Sequence, residues 1–410
     1  MTPRLLAFAG VLAAQAAAQS APSTVSAPVG RVANYVDVEG GLGYSTNPYV
    51  TLGKGSGQAF VRGSVRAVHT RVSARTSTTL SAFGEDTAYP GHFGSQKLLL
   101  LNAHHDAAVT ERLRVFGDLT GSLDQSGRLG TRFLSLGPVV DPSTTPLPPL
   151  SDAQSGFVAS SGRTYRFGGQ VGGQLSLSAI DLLTGRLGAD RVLLRGTTQD
   201  TSYNSYLASV AYARTLSARA SVGGIVGVQL SNYKHGGNAT VFTPQISGRL
   251  ALSDHTDLSG AIGVSFASIK RGGIQQHVNG LALNARLCHA GESAQLCAVV
   301  SRLQAAETIT GLATTLSGGI TYSKTLDAKQ TVQLSASGNR TSRALGGLSS
   351  VAELPANQSY IAGSAAYTRR ISSRLYSGAS FEARKFYGAV QSTKADLSAS
   401  VFLRLRLGDR

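Results

Sequence analysis

The chain has no tryptophan, one methionine and two cysteines, and only 15% of its residues are charged. Soluble domains carry about 25% charged residues. A framework of several disulfides is excluded by the cysteine count, and the low charge argues against an ordinary soluble surface. Beyond the first twenty residues no apolar run approaches the roughly 20 residues that a membrane-spanning helix needs. Mean hydropathy is close to neutral at +0.01.

What is abundant is glycine, with 48 residues, together with Ser and Thr. That composition is polar without strong charge, and it turns often. It suits alternating strands that present an apolar face to lipid and a polar face to water, because such strands average to neutral hydropathy.

The N-terminus reads as an export signal. Arg4 supplies a positive start, Leu5 to Ala18 form an apolar stretch broken only by Gln15, and Ala16 and Ala18 make an A-x-A site. Cleavage is expected after Ala18, with no cysteine there to accept a lipid. Residues 1–18 are therefore assigned to a signal peptide, 19–33 to a periplasmic segment and 34–410 to one barrel.

Alternation carries the fold. Ala395, Leu397, Ala399, Val401, Leu403, Leu405 and Leu407 occupy one face near the C-terminus, and Lys394, Asp396, Ser398, Ser400, Phe402, Arg404 and Arg406 the other. A helix would bring apolar residues back every three to four positions, so this period of two is a strand. The segment from Ala218 to Leu230 repeats it, with Ile225 alone breaking the pattern, as do segments beginning at Leu258 and Val332. Short turns around Arg71–Ala74, Val109–Arg112, Ser178–Asp181, Thr215–Ala218, Ser253–Thr256, Thr325–Ala328 and Arg370–Ser373 alternate with longer joints. The joints are Pro48–Gln58, Gly84–Ser95, Gln125–Arg163, Asn232–Asn238 and Arg343–Asn357. Short turns on one side and longer loops on the other mark an outer-membrane barrel. The expectation is an all-β, transmembrane, antiparallel up-and-down barrel of about 18 strands, with 16 as the alternative. With no Trp, tyrosines must supply any interfacial girdle: Tyr44, Tyr89, Tyr165, Tyr203, Tyr233, Tyr360 and Tyr387 near the long loops, and Tyr212, Tyr322, Tyr367 and Tyr376 near the short turns.

The formal charge is +16. Phasing the strands aims Arg62, Arg66, Arg112, Arg114, Arg166, Arg186, Arg219, Arg249, Arg286, Arg374, Arg384, Arg404 and Arg406 at the lumen, against Asp118, Asp190, Glu382 and Asp396. Fixed positive charge along a pore favours anions; the alternative is a paired, unselective polar wall. No nucleic-acid motif is present. The expected partners are outer-membrane lipid and lipopolysaccharide, and small solutes or polysaccharide. The loop Gln125–Arg163, with Pro138, Pro142, Pro146, Pro148 and Pro149, either folds inward to narrow the pore or lies on the surface. Cys288 and Cys297 read as a hairpin disulfide in an oxidising compartment. A metal site with His289 and Glu292 is the alternative, without convincing ligand spacing, and no metal or cofactor is expected. His104, His105 and Asp106 would be the residues of a hydrolase, but successive strand side chains point to opposite faces.

The first strand reads VEGGLGYSTNPYV from Val38 to Val50, and the stretch Gly41 to Tyr49 resembles the opening strand of the beta-barrel porin 2 type of outer-membrane protein. That resemblance implies a barrel associated with exopolysaccharide loci and assigns no catalytic residue. The chain departs from many such barrels in its end, Leu405-Arg406-Leu407-Gly408-Asp409-Arg410, which lacks a terminal aromatic. The expected function is a porin-like channel. The alternative is a non-conducting accessory barrel that supports exopolysaccharide export or presents surface loops.

Overall fold

The computed structural model describes residues 32–48, 57–90, 94–125, 163–195, 202–234, 237–271, 274–307, 311–343, 357–388 and 394–409. The expected signal peptide, most of the expected periplasmic segment and the Pro138–Pro149 stretch lie outside these residues.

Eighteen strands follow one another in chain order. The first seven are β1 (Val32–Ser45), β2 (Gln58–Val72), β3 (Thr76–Tyr89), β4 (Gly94–Ala108), β5 (Leu113–Asp124), β6 (Arg163–Ser176) and β7 (Asp181–Arg195). Next come β8 (Tyr203–Ser217), β9 (Ala220–Tyr233), β10 (Asn238–Ser253), β11 (Thr256–Arg271), β12 (Ile274–Ala290) and β13 (Ala294–Glu307). The last five are β14 (Gly311–Asp327), β15 (Gln330–Arg343), β16 (Asn357–Arg370), β17 (Leu375–Gly388) and β18 (Asp396–Asp409). Each strand pairs antiparallel with its neighbours, and β1 closes the ring on β18, from Asn34 opposite Asp409 to Ser45 opposite Ser398. The fold is a closed, all-β, antiparallel 18-stranded barrel, and closure leaves no unpaired strand edge for lipid to meet.

The ladder fixes the phase of every strand. Val401, Leu403, Leu405 and Leu407 point outward and are exposed, as are Leu42, Val61, Leu99, Leu119, Phe167, Ile246, Ile262 and Ile361 on other strands. So continuous an apolar exterior requires hydrocarbon around it rather than water. Val401→Arg, on the outward face opposite Leu42, is therefore expected to cost about 2–4 kcal/mol. Denaturant unfolding in lipid vesicles measures it; a loss below about 0.5 kcal/mol would mean that this face meets water.

The turn side behaves as its sequence suggests. Ser73, Thr110, Ser178 and Ser372 each accept two backbone N–H bonds through their hydroxyls, pinning the turns they open. The loop side is less uniform than expected. Residues 272–273 and 308–310 join β11 to β12 and β13 to β14 with very short connections, and β3 continues to Tyr89 through part of the expected Gly84–Ser95 joint.

The tyrosines do not form the full girdle. Tyr44, Tyr165, Tyr387, Tyr212, Tyr322 and Tyr367 take outward phases, but Tyr89, Tyr203, Tyr233, Tyr360 and Tyr376 take inward ones. With a period of two, one residue of shift moves a side chain to the other face, so position along the strand alone did not fix the side.

Candidate functional site: the lumen wall

Inward phase is set by the ladder for Arg62 and Arg66 on β2, Arg114 on β5, Arg166 on β6, Arg186 on β7 and Arg249 on β10. It is likewise set for Arg286 on β12, Arg384 on β17, and Arg404 and Arg406 on β18. Arg112 is a correction. It lies in the exposed turn before β5, where its backbone N–H and that of Leu113 bond Thr110 Oγ1. Arg219 and Arg374 are likewise turn residues rather than strand residues. In all three the strand starts one residue later than the alternation suggests, because the turn consumes that residue.

The acids are more numerous than the sequence reading held. Beside Asp118, Asp190, Glu382 and Asp396, the ladder turns Asp37, Glu39, Glu85, Asp106, Asp124 and Asp257 inward. Most arginines sit against one of them. Arg406 grips Asp37 with Nε on Oδ1 and Nη2 on Oδ2, both at 2.7 Å. Arg404 donates to Glu39 at 2.7 Å, and Arg62 Nη2 lies 3.7 Å from the same carboxylate. Arg114 meets Asp106 at 3.1 Å, Arg166 meets Asp190 at 2.8 Å, and Arg384 meets Asp396 at 2.8 Å. The arginine wall is thus largely neutralised where it was expected to be strongly positive.

Arg186 stands apart. Among the described residues it forms no ion pair; its guanidinium lies over the Phe116 ring, 5.2 Å from the centroid, opposite Gly172 and Ser209 in the ladder. The nearby Asp118 carboxylate is held by His104 Nδ1 at 2.7 Å and by Gln170 Nε2 at 2.8 Å.

The lumen has two unlike sectors. Most inward charges belong to β1–β7 and to β17 and β18. Across β8–β16 the described side chains of the wall are mainly hydroxyl and amide, with Arg249, Asp257, Arg286 and Arg370 as the charged exceptions. There Ser205 and Ser231 hydroxyls bond at 2.8 Å, and Gln229 donates to both. Ser335 and Ser364 bond at 2.7 Å, and Thr315 and Thr341 at 3.3 Å. Nearer the loop side, inward apolar residues pack together: Phe83, Leu98 and Leu100 in one cluster, Ala239, Val241 and Ala267 in another.

Cys288 and Cys297 face each other across β12 and β13 and form a disulfide with Cα atoms 4.1 Å apart. Among the described residues no group of His, Cys, Asp and Glu could hold a metal ion. A thiol assay on the unfolded, unreduced protein is expected to find no free cysteine, and reduction to cost about 2–3 kcal/mol for so short a loop; two free thiols would contradict the bond.

The histidine run divides as a strand must. His104 and Asp106 point inward to Asp118 and Arg114, while His105 points outward to Thr78 at 2.8 Å. Among the described residues no Ser, Thr or Cys side chain is bonded to His104, so the run assembles no nucleophile with its base. A depression of about 840 Å³ on the outer wall is lined largely by outward Leu80, Leu101, Leu119, Phe167 and small residues between them. It faces the lipid side and is no part of the lumen.

No family model and no curated protein matches the chain. Among solved structures, Pseudomonas aeruginosa OccK2 (OpdF) in complex with glucuronate is 9% identical, with 92% of this chain and 98% of that one covered and a TM-score of 0.43. P. aeruginosa OpdL is 10% identical over 92% of this chain and 99% of that one, at a TM-score of 0.41. The FrpB iron transporter of Neisseria meningitidis is 9% identical over 88% of this chain, at a TM-score of 0.45. The chain spans 64% of FrpB's length. The fold of this chain rests on its own strand ladders.

Proposed function

We propose that this barrel is a porin-like channel of a Gram-negative outer membrane, passing small polar solutes by passive diffusion. One observation carries the reading: a closed 18-strand wall with an apolar exterior and an interior of paired charges, hydroxyls and amides. Barrels of 16–18 strands are wide enough for an aqueous lumen. Hydroxyls and amides exchange hydrogen bonds with a passing solute at little net cost, whereas the ion-paired sector holds its side chains against the wall.

Placement in that membrane fits the outward charges near the loop side. Among the described residues Lys97, Arg163, Arg191, Lys270, Arg302, Arg340 and Lys385 take outward phases within about five residues of the loop-side strand ends, against Asp86 alone. Cations at that depth meet phosphate-bearing headgroups, as the outer leaflet's lipopolysaccharide supplies. Anion preference, the finer part of the reading, falls within the lumen chiefly to Arg186.

Liposomes carrying the refolded mature protein are expected to swell in isotonic solutions of small neutral sugars and not of large dextrans. Swelling equal to protein-free liposomes would contradict a channel. The second reading is a non-conducting accessory barrel supporting exopolysaccharide export. It is favoured by the loop-side packing of Phe83, Leu98 and Leu100, and it predicts no swelling from a correctly folded barrel.

A further inference from the structure

The eight turn-side connections share one structurally equivalent position, the residue immediately before each ascending strand. Its carbonyl accepts a hydrogen bond from the neighbouring descending or closing strand: Ala108 N–H to Arg75, Ser176 to Arg112, Thr215 to Ile180 and Ala251 to Arg219. Ala290 N–H bonds His255, Thr325 bonds Ser293, Arg370 bonds Lys329 and Arg406 bonds Arg374. Each donor lies on the lumen-facing phase of its strand, so the eight positions continue that phase to the lip of the barrel. Five of them are permanent cations: Arg75, Arg112, Arg219, Lys329 and Arg374.

We propose that these five side chains form an anion-binding ring at the turn-side mouth, taking multivalent phosphate- or carboxylate-bearing solutes. The acids of the turns are Glu111, Asp254 and Glu292, and among the described residues only Asp254 comes within ion-pair distance of a ring cation. The single ion pair within the ring joins Arg219 to Asp254 at 3.3 Å, with both side chains mostly in solvent, where such a pair is weak. Arg75, Arg112, Lys329 and Arg374 have no ion-pair partner among the described residues. The contrast with the lumen is one of pairing, since inward carboxylates hold the arginines of the wall. At the level of the lip Asp37 is taken by Arg406, whose N–H bonds the Arg374 carbonyl, while Asp257 stands opposite Ala251, two strands from Arg219. Strands spaced about 4.8 Å apart and tilted by about 40° put successive turns about 12 Å apart, the single step from Arg75 to Arg112 and from Lys329 to Arg374. Along the rim about 25 Å separates Arg112 from Arg219 and Arg374 from Arg75, and about 37 Å separates Arg219 from Lys329. The single step is close to the Debye length of about 10 Å at 0.1 M salt. At about 0.01 M, where the length is about 30 Å, the fields of neighbouring cations merge; at about 1 M, where it is about 3 Å, each acts alone.

The ring deepens the channel reading, and its part in selectivity rests on that reading. Inorganic tripolyphosphate is the probe, with binding to the folded mature barrel measured by equilibrium dialysis. In about 0.01 M KCl the native protein is expected to bind it at least about ten-fold more tightly than R75Q/R112Q/R219Q/K329Q/R374Q, and to lose that advantage near 1 M. The five side chains are exposed and only their carbonyls join the ladder, so the variant is expected to fold with native heat-modifiability. In planar bilayers, tripolyphosphate is expected to reduce current from the turn side and not from the loop side, and the variant to lose this block. Equal binding by the two proteins, or block that survives the substitutions, would overturn the ring. A barrel that binds tripolyphosphate through these cations yet passes no current would refute the channel and keep the ring.

Discussion

Asp396→Asn is expected to destabilise the folded barrel by about 3–5 kcal/mol. The carboxylate is 1% exposed, and its partner Arg384 is 2% exposed at 2.8 Å. The same carboxylate accepts from the Ser45 hydroxyl at 2.6 Å and from the Asn47 backbone N–H at 3.1 Å, and Arg384 also donates to the Pro48 carbonyl at 2.7 Å. The cluster therefore ties β17 and β18 to the end of β1, beside the contact that closes the ring. Asparagine keeps the shape but removes the charge, leaving a guanidinium buried without its counter-ion, which costs more than the pair contributes. The double variant D396N/R384M should recover much of the loss, since both charges then leave together. Unfolding in vesicles followed by far-ultraviolet circular dichroism measures both. A loss below about 1 kcal/mol for the single variant would show that water reaches the site.

Arg406→Ala is expected to cost about 3 kcal/mol, and Arg406→Lys to recover little of it. The guanidinium makes two parallel bonds to Asp37 across the closing pair of strands and lies 4.3 Å from the Tyr35 ring centroid and 5.5 Å from that of Tyr376. An ammonium group cannot reproduce the fork or the stacking. The expectation separates two kinds of arginine in one wall. Loss of Arg406 should lower stability, and Arg406→Lys, which keeps the charge beside Asp37, should leave the reversal potential in a salt gradient unchanged. Arg186→Gln should do the reverse, because that side chain forms no ion pair among the described residues and its removal strands no carboxylate. A changed reversal potential in a stably folded Arg406→Lys barrel would contradict the assignment of Arg406 as a clamp.

How much of this was legible in the sequence depended on the range of the signal. Alternation is local, so the phase of β18 and β9 could be read directly, including Ile225 as the inward exception. The turn-and-loop rhythm led to 18 strands for the same reason, since each hairpin announces itself within a few residues. Pairing is not local. Arg406 meets Asp37 across 369 positions of sequence and Arg62 meets Ser400 across 338. Nothing near either residue shows that an arginine read as a filter is half of a clamp. Asp37 and Glu39 share the inward phase of β1, which its motif does not reveal because Gly40, Gly41 and Gly43 carry no side chain to mark a face. The turn arginines differ in kind: alternation extends to Arg112, Arg219 and Arg374, whereas their strands start one residue later. Their equivalence appears only when the ladder aligns all eight turns.

The most direct test of the channel is planar-bilayer conductance of the refolded mature protein, with the reversal potential taken in a KCl gradient at low salt. Discrete, stable current steps with a shift toward the chloride potential are predicted, and Arg186→Gln should reduce that shift. A folded, heat-modifiable barrel that inserts into the bilayer and gives no steps would contradict the channel.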